Sequence, residues 1–157
     1  MNKNPIIVVA GEPNSVFLEL FFKCFKKNRY KSPIIMIVSK KLLLSQMKKL
    51  NYDFNIKEIS KNQKKPYNLN NKYINIINKN YDFKKPFDLI SDNSNYYIRS
   101  CFNTALEILA KRNCKGLING PISKKNFLKK KFLGITEYLA NKTKTSDVAM
   151  LIYNKKL

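Results

Sequence analysis

The chain contains no histidine and no tryptophan, and of its 157 residues only 4 are glycine and 3 are cysteine. Without histidine it lacks the side chain that most often moves protons near neutral pH and most often ligates transition metals through nitrogen. Cys24, Cys101 and Cys114 are odd in number, widely spaced and without a CxxC pair, so neither a disulfide framework nor a structural zinc site is expected. They read as small buried hydrophobes, Cys24 and Cys101 on the apolar faces of expected helices. No apolar run approaches the ~20 residues that cross a bilayer; the longest, residues 6–10 and 34–38, are strand-sized. The opening Met1-Asn2-Lys3-Asn4-Pro5 lacks the apolar segment of a secretory signal. A cytoplasmic protein with no membrane partner is expected.

Acidic residues are also scarce, 10 against 31 basic ones, for a net charge of +21. Such a charge suits a polyanionic partner. Only Arg29, Arg99 and Arg112 are arginine, however, and base edges and bidentate phosphate contacts favour arginine over lysine. The lysines are scattered among Asn, Ile, Tyr and Phe, which share A/T-rich codons. Codon bias accounts for this composition, and nucleic acid is not the expected partner. Hydrophobic content of 44% and aromatic content of 12% suit one globular domain with a true core.

Along the chain, strand-like apolar runs alternate with amphipathic segments. Residues 5–10 read as a strand buried on both faces, followed by the turn Gly11-Glu12-Pro13-Asn14-Ser15. A helix follows, with Val16, Phe17, Leu20, Phe21, Cys24 and Phe25 as its inner stripe and Asn14 or Ser15 as its cap. Residues 33–38 form a second strand. Ser39 caps a helix over 40–50 with Leu43, Leu44 and Met47 inside. Residues 55–60 and 73–77 are further strand candidates, and residues 61–71 and the Lys84-Lys85-Pro86 break are loops. Ser91-Asp92 caps a long helix over 93–113 whose inner face is Ile98, Cys101, Phe102, Ala105, Leu106 and Leu109. Residues 116–119 form a strand, Pro121 is placed to open a helix, another helix begins at Thr136, and residues 148–153 read as a final buried strand. This order predicts an α/β fold around a mostly parallel sheet.

Four segments carry more than periodicity. They are the turn Gly11-Glu12-Pro13 with Glu19 on the helix after it, Ser91-Asp92-Asn93-Ser94, Gly120-Pro121-Ile122-Ser123-Lys124, and Gly134-Ile135-Thr136-Glu137-Tyr138-Leu139-Ala140. In this order and spacing they resemble the motifs of the 4-hydroxythreonine-4-phosphate dehydrogenase family, and Val148-Ala149-Met150-Leu151 resembles the strand that follows them there. The resemblance implies a two-domain architecture like that of isocitrate and isopropylmalate dehydrogenases. It implies NAD-dependent oxidation, with decarboxylation, of 4-phosphohydroxy-L-threonine in pyridoxal phosphate biosynthesis. It also implies a divalent metal held by histidines, and a homodimer.

Carried onto this chain, Thr136 matches the substrate-contacting threonine, and Lys124 matches the lysine that offers positive charge to a phosphate. No catalytic role is assigned to Glu12 or Glu19. Ile135 stands where the family has a substrate-contacting histidine, and it can neither hydrogen-bond nor carry a proton. Ser15 and Phe17 replace glycines of the first loop. The family's metal ligands and most of its cofactor contacts lie in a carboxyl-terminal half. Residues 1–157 are therefore expected to be the amino-terminal portion of such a dehydrogenase, without metal ligands and inactive alone. The competing readings are a non-catalytic module that binds a phosphorylated ligand or a partner subunit, such as a complementary half, and a basic nucleic-acid-binding protein.

Overall fold

The computed structural model of the protein describes residues 4–27, 30–61, 69–111 and 114–154. Five strands, β1 (Ile6–Val9), β2 (Ile34–Val38), β3 (Ile56–Glu58), β4 (Ile74–Asn78) and β5 (Gly116–Asn119), form one sheet in the order β3-β4-β2-β1-β5. Every pairing is parallel, with Ile6 opposite Ile34 and also opposite Gly116. Parallel neighbours need a crossover between them; α1 (Phe17–Lys26) lies between β1 and β2, α2 (Lys40–Lys49) between β2 and β3, and α3 (Asn95–Ala110) between β4 and β5, with α4 (Ile135–Thr143) after β5.

Both faces of the sheet are covered, so the central strands alternate between two cores. Val8, Met36, Val38 and Ile76 pack with Leu18, Phe22 and Phe25 of α1 and Leu43 and Met47 of α2. Ile7, Val9, Ile35, Ile37 and Ile77 face the opposite way, onto Ile98, Cys101, Phe102 and Ala105 of α3 and onto Phe127, Leu128 and Tyr138. Polar side chains make backbone bonds where the apolar pattern is broken. Asn75 donates to the Ile34 carbonyl at 3.1 Å, Asn71 accepts from the Ile34 N–H at 3.0 Å, and the Tyr97 hydroxyl accepts from the Ser39 N–H at 3.0 Å.

The Ser39 cap is as expected, its hydroxyl accepting from the Leu42 N–H. Several expectations are corrected. The inner face of α1 is Leu18, Phe22 and Phe25, while Val16 and Leu20 are more than half exposed and Cys24 is exposed. Glu19, Lys23 and Lys26 mark one polar face, but the apolar arc left over is wide, and packing on Val8 and Met36 selects Leu18, Phe22 and Phe25 from within it. In α2, Leu44 is exposed and Gln46 is buried. In α3, Leu106 and Leu109 are only half-buried, while Tyr97 and Ile108 are fully in the core. The residues before α3 form a single 3-10 turn, Asp92–Ser94. Pro121 does not open a helix: its carbonyl accepts from the Glu12 N–H, and a π-type turn, Lys124–Leu128, starts after a Ser123 cap. Residues 148–153 form no strand, and Val148 and Met150 through Tyr153 are exposed. A strand exists only through a neighbour's ladder, and no described strand pairs with this segment.

The expected loop over 61–71 lies partly outside the described residues. Cys101 is buried as expected, and burial pushes its thiol up to about 12, which leaves it inert as a nucleophile. Cys114 is half-buried. Among the described residues no helix is long and apolar enough to cross a membrane.

Phe102 is fully buried and meets the rings of Phe127 at 6.1 Å and Tyr138 at 5.6 Å. It therefore joins α3 to the segments after β5. Phe102→Ala is expected to cost about 3–5 kcal/mol in urea denaturation; a cost near zero would mean that this layer does not support the sheet.

Candidate functional site at the carboxyl edge of the sheet

Strand β1 lies between β2 and β5, so the chain leaves its carboxyl end toward one side of the sheet while β5 arrives on the other. The crevice outside such a reversal is where open parallel sheets bind ligands. Here the two loops that border it are locked together. The Gly120 N–H donates to the Val9 carbonyl and the Glu12 N–H donates to the Pro121 carbonyl, both at 2.8 Å. Gly11 has φ +77°, and a Cβ there would fall far inside contact with the Pro121 carbonyl oxygen. A Cβ on Gly120 would collide with the Ala10 carbonyl and the Phe17 ring. Only glycine permits this approach.

The second motif joins the first through side chains. Ser94 Oγ donates to Glu12 Oε2 at 2.9 Å, and Glu12 is 3% exposed. Burial raises the Glu12 carboxyl above its ordinary value, and the bonds from Ser94 and from the Asn14 N–H pull it partly back. Asn14 bridges onward, its amide donating to the Leu89 carbonyl and its Oδ1 accepting from the Asp88 N–H, both at 3.2 Å. Gln46 of α2 donates to the Pro13 carbonyl at 2.8 Å and fixes the loop from the other face. Beside Asn14 opens a cavity of about 500 Å³ walled by Tyr81, Phe83, Asp88, Ser91 and Asn93. Burial first, then the Glu12 and Asp88 charges, raise the Tyr81 phenol, against a bond with Asn14.

The third and fourth motifs sit together on the α3 side. Lys124 opens the π-type turn and is exposed. Thr136 stands in the first turn of α4, half-buried. The N-cap is Gly134, and no side-chain cap bond is made, so capping does not occupy the Thr136 hydroxyl. No hydrogen bond or ion pair joins Lys124 to Thr136; their segments are coupled through the Phe127 and Tyr138 rings, 5.1 Å apart. Ile135 packs against the core, so an apolar contact occupies the position where the resembled motif has histidine. The sequence gives Glu12 no role, offers Asn14 only as a cap of α1, where no side-chain cap bond is made, and points to neither Gln46 nor Tyr81. The one signal for Glu12 was a carboxylate between Gly11 and Pro13, a place that only an enforced turn explains.

Among the described residues no three His, Cys, Asp or Glu side chains come together as a metal site, and the residues present do not fit the divalent metal that the resemblance implies. Nor do they fit a pyrophosphate cradle: Gly11 faces the backbone of Gly120 and Pro121, and Gly120 faces the Ala10 carbonyl, instead of open space. No step through either group is derived from this chain.

The architecture defines a doubly wound parallel α/β protein with its polar loops gathered at the switch point. The profile of the family described as pyridoxal phosphate biosynthetic protein PdxA matches residues 29–157, and the chain belongs to that family. Its fold is similar to the 4-hydroxythreonine-4-phosphate dehydrogenase of Burkholderia phymatum, with TM-score 0.82 and 18% identity over 99% of this chain and 48% of that one. It is equally similar to that of Klebsiella pneumoniae, with TM-score 0.82 and 19% identity over 99% and 49%. The chain thus spans about half the length of these structures. A comparison with curated protein sequences gives no match.

Two predictions follow from the locked loops. Gly120→Ala should cost about 3 kcal/mol in urea denaturation, because backbone rather than a flexible side chain must yield; a neutral variant would contradict the close approach. For Glu12, a raised folded pKa makes its favourable contribution complete below the ordinary glutamate value and lost as pH rises through the folded one. Glu12→Gln cannot ionise, so it should gain stability relative to the parent between about pH 4 and pH 7. A pH-independent difference would show that the buried carboxyl is unshifted.

Proposed function

We propose that this chain supplies the phosphate-contacting part of an NAD-dependent dehydrogenase acting on 4-phosphohydroxy-L-threonine or a close phosphorylated hydroxy acid, in a cytoplasmic enzyme. The observation that carries the reading is the convergence of the four motifs: the first and third are locked together at the switch point by Gly11 and Gly120, the second is tied to the first by the Ser94–Glu12 bond, and the fourth is coupled to the turn after the third through Phe127 and Tyr138. Family membership over residues 29–157 supports it.

In this reading the Thr136 hydroxyl, which is not used as a cap, bonds a substrate oxygen. The exposed ammonium of Lys124 offsets phosphate charge as a mobile point charge. Glu12 and Ser94 act as positioning residues that hold the loop. Metal and most cofactor contacts come from additional polypeptide, in the manner of relatives about twice as long. The partner of this chain is a second subunit in a homodimer, or a complementary half.

One observation favours a partner-binding role for the chain on its own. Val148, Met150, Leu151, Ile152 and Tyr153 are more than half exposed in succession, and apolar runs of this kind cover a neighbour.

Calorimetric titration of the purified chain with 4-phosphohydroxy-L-threonine tests the proposal, alongside an NAD reduction assay with added divalent metal. Saturable binding is expected, weakened about tenfold in both Thr136→Val and Lys124→Met, with no NADH formed by the chain alone. Binding that ignores both substitutions would overturn the assignment, and turnover by the isolated chain would overturn its dependence on further polypeptide.

A further inference from the structure

A second cavity, of about 200 Å³, opens between α3, the π-type turn and α4. Its floor is apolar, made by Phe127, Leu128 and Phe132 around Tyr138. Its rim is cationic: Arg99 from α3, Lys129 and Lys131 after the π-type turn, and Lys142 from α4. Asp92 pairs with Lys129 at 2.6 Å. Among the described residues no ion pair compensates Arg99, Lys131 or Lys142. The Lys142 ammonium lies 5.9 Å from the Tyr138 ring centroid.

The second observation is an unpartnered polar group. Tyr138 is 5% exposed, and its hydroxyl is buried with no hydrogen-bond partner. A buried phenolic O–H without a partner costs about 1–3 kcal/mol, and tyrosine hydroxyls in cores generally find one. Arg99 and Tyr138 line the same cavity, and burial raises this phenol while the Arg99 charge lowers it. A donor O–H, a guanidinium and two uncompensated ammonium groups over an aromatic floor are complementary to an anion carrying a flat apolar group. At about 30 Å³ per water the space holds about six or seven waters, enough for a phosphate and a small ring.

We infer that this cavity binds a small aryl phosphomonoester, with Arg99 and Lys142 on the phosphate, the Tyr138 hydroxyl donating to a phosphate oxygen, and Phe127 and Phe132 against the ring. The site is separate from the one assigned to Thr136. Residues two apart on a helix do not share a face, so Tyr138 and Thr136 look away from each other along α4.

The test is an amide NMR titration of the full chain with phenyl phosphate and with inorganic phosphate at constant ionic strength. Saturable shifts are expected at Arg99, Lys131, Tyr138 and Lys142, with phenyl phosphate tighter than inorganic phosphate. The double variant R99Q/K142Q should weaken binding by about tenfold or more, and Tyr138→Phe, which keeps the ring, by about fivefold. K48Q/K49Q removes the same charge from α2 on the opposite face and should change affinity by less than about twofold. Spectral dispersion of each variant reports that it is folded. Equal weakening by the two double variants would mean diffuse attraction to a net charge of +21 and would overturn the proposal, as would shifts that never saturate.

Discussion

The loops after β1 and β5 lie against each other because neither Gly11 nor Gly120 carries a side chain. With backbone in contact, two main-chain hydrogen bonds close across the switch point. Everything polar at this edge depends on that closure. It sets the direction of Glu12 into the interior, and Ser94 can reach Glu12 only because the carboxylate points there. The same contact uses the Pro121 carbonyl, so the chain cannot begin a helix at Pro121 and reaches Ser123 before turning. The position of Lys124, and through the Phe127 and Tyr138 rings that of α4, therefore follows from a clash avoided at two glycines.

Much of the scaffold was legible in the residues. Strands β1 and β2 are short continuous apolar runs because both of their faces are covered, and the residue types on either face differ little. In α1 the charged Glu19, Lys23 and Lys26 mark the outer side, but the apolar arc is wider than the buried one, and the sheet decides that Leu18 and Phe22 rather than Val16 and Leu20 go inward. The Ser39 cap was readable because it acts three residues along the chain. The Ser94 to Glu12 bond spans 82 positions and the Gln46 to Pro13 bond spans 33, and no local pattern encodes either. The segment 148–153 has the composition of a buried strand, but composition states only what a segment would bury; a ladder needs a partner in register, and no described strand pairs with this segment.

In the proposed reading the described residues bind and position: fixed donors, a buried carboxyl and mobile ammonium groups hold a phosphorylated ligand. A hydride transfer needs in addition an acceptor and a polarising group, and the described residues assemble no metal-ligating cluster. Ile135 makes the same point at one position: it contributes packing to the α3 face where the resembled motif would contribute a proton. The high positive charge adds long-range attraction for any anion, but it is the orphaned Tyr138 hydroxyl and the glycine-locked loops that give particular places their chemistry.

Amide hydrogen exchange at Glu12 and Gly120 tests the central claim most directly. If the contact between these loops is the constraint on which the edge depends, both N–H groups, although in loops, should exchange only with global unfolding, as slowly as the amides of β2. Exchange at the rate of an open surface loop, with β2 still protected, would show that the loops part freely and that the edge is organised by something else.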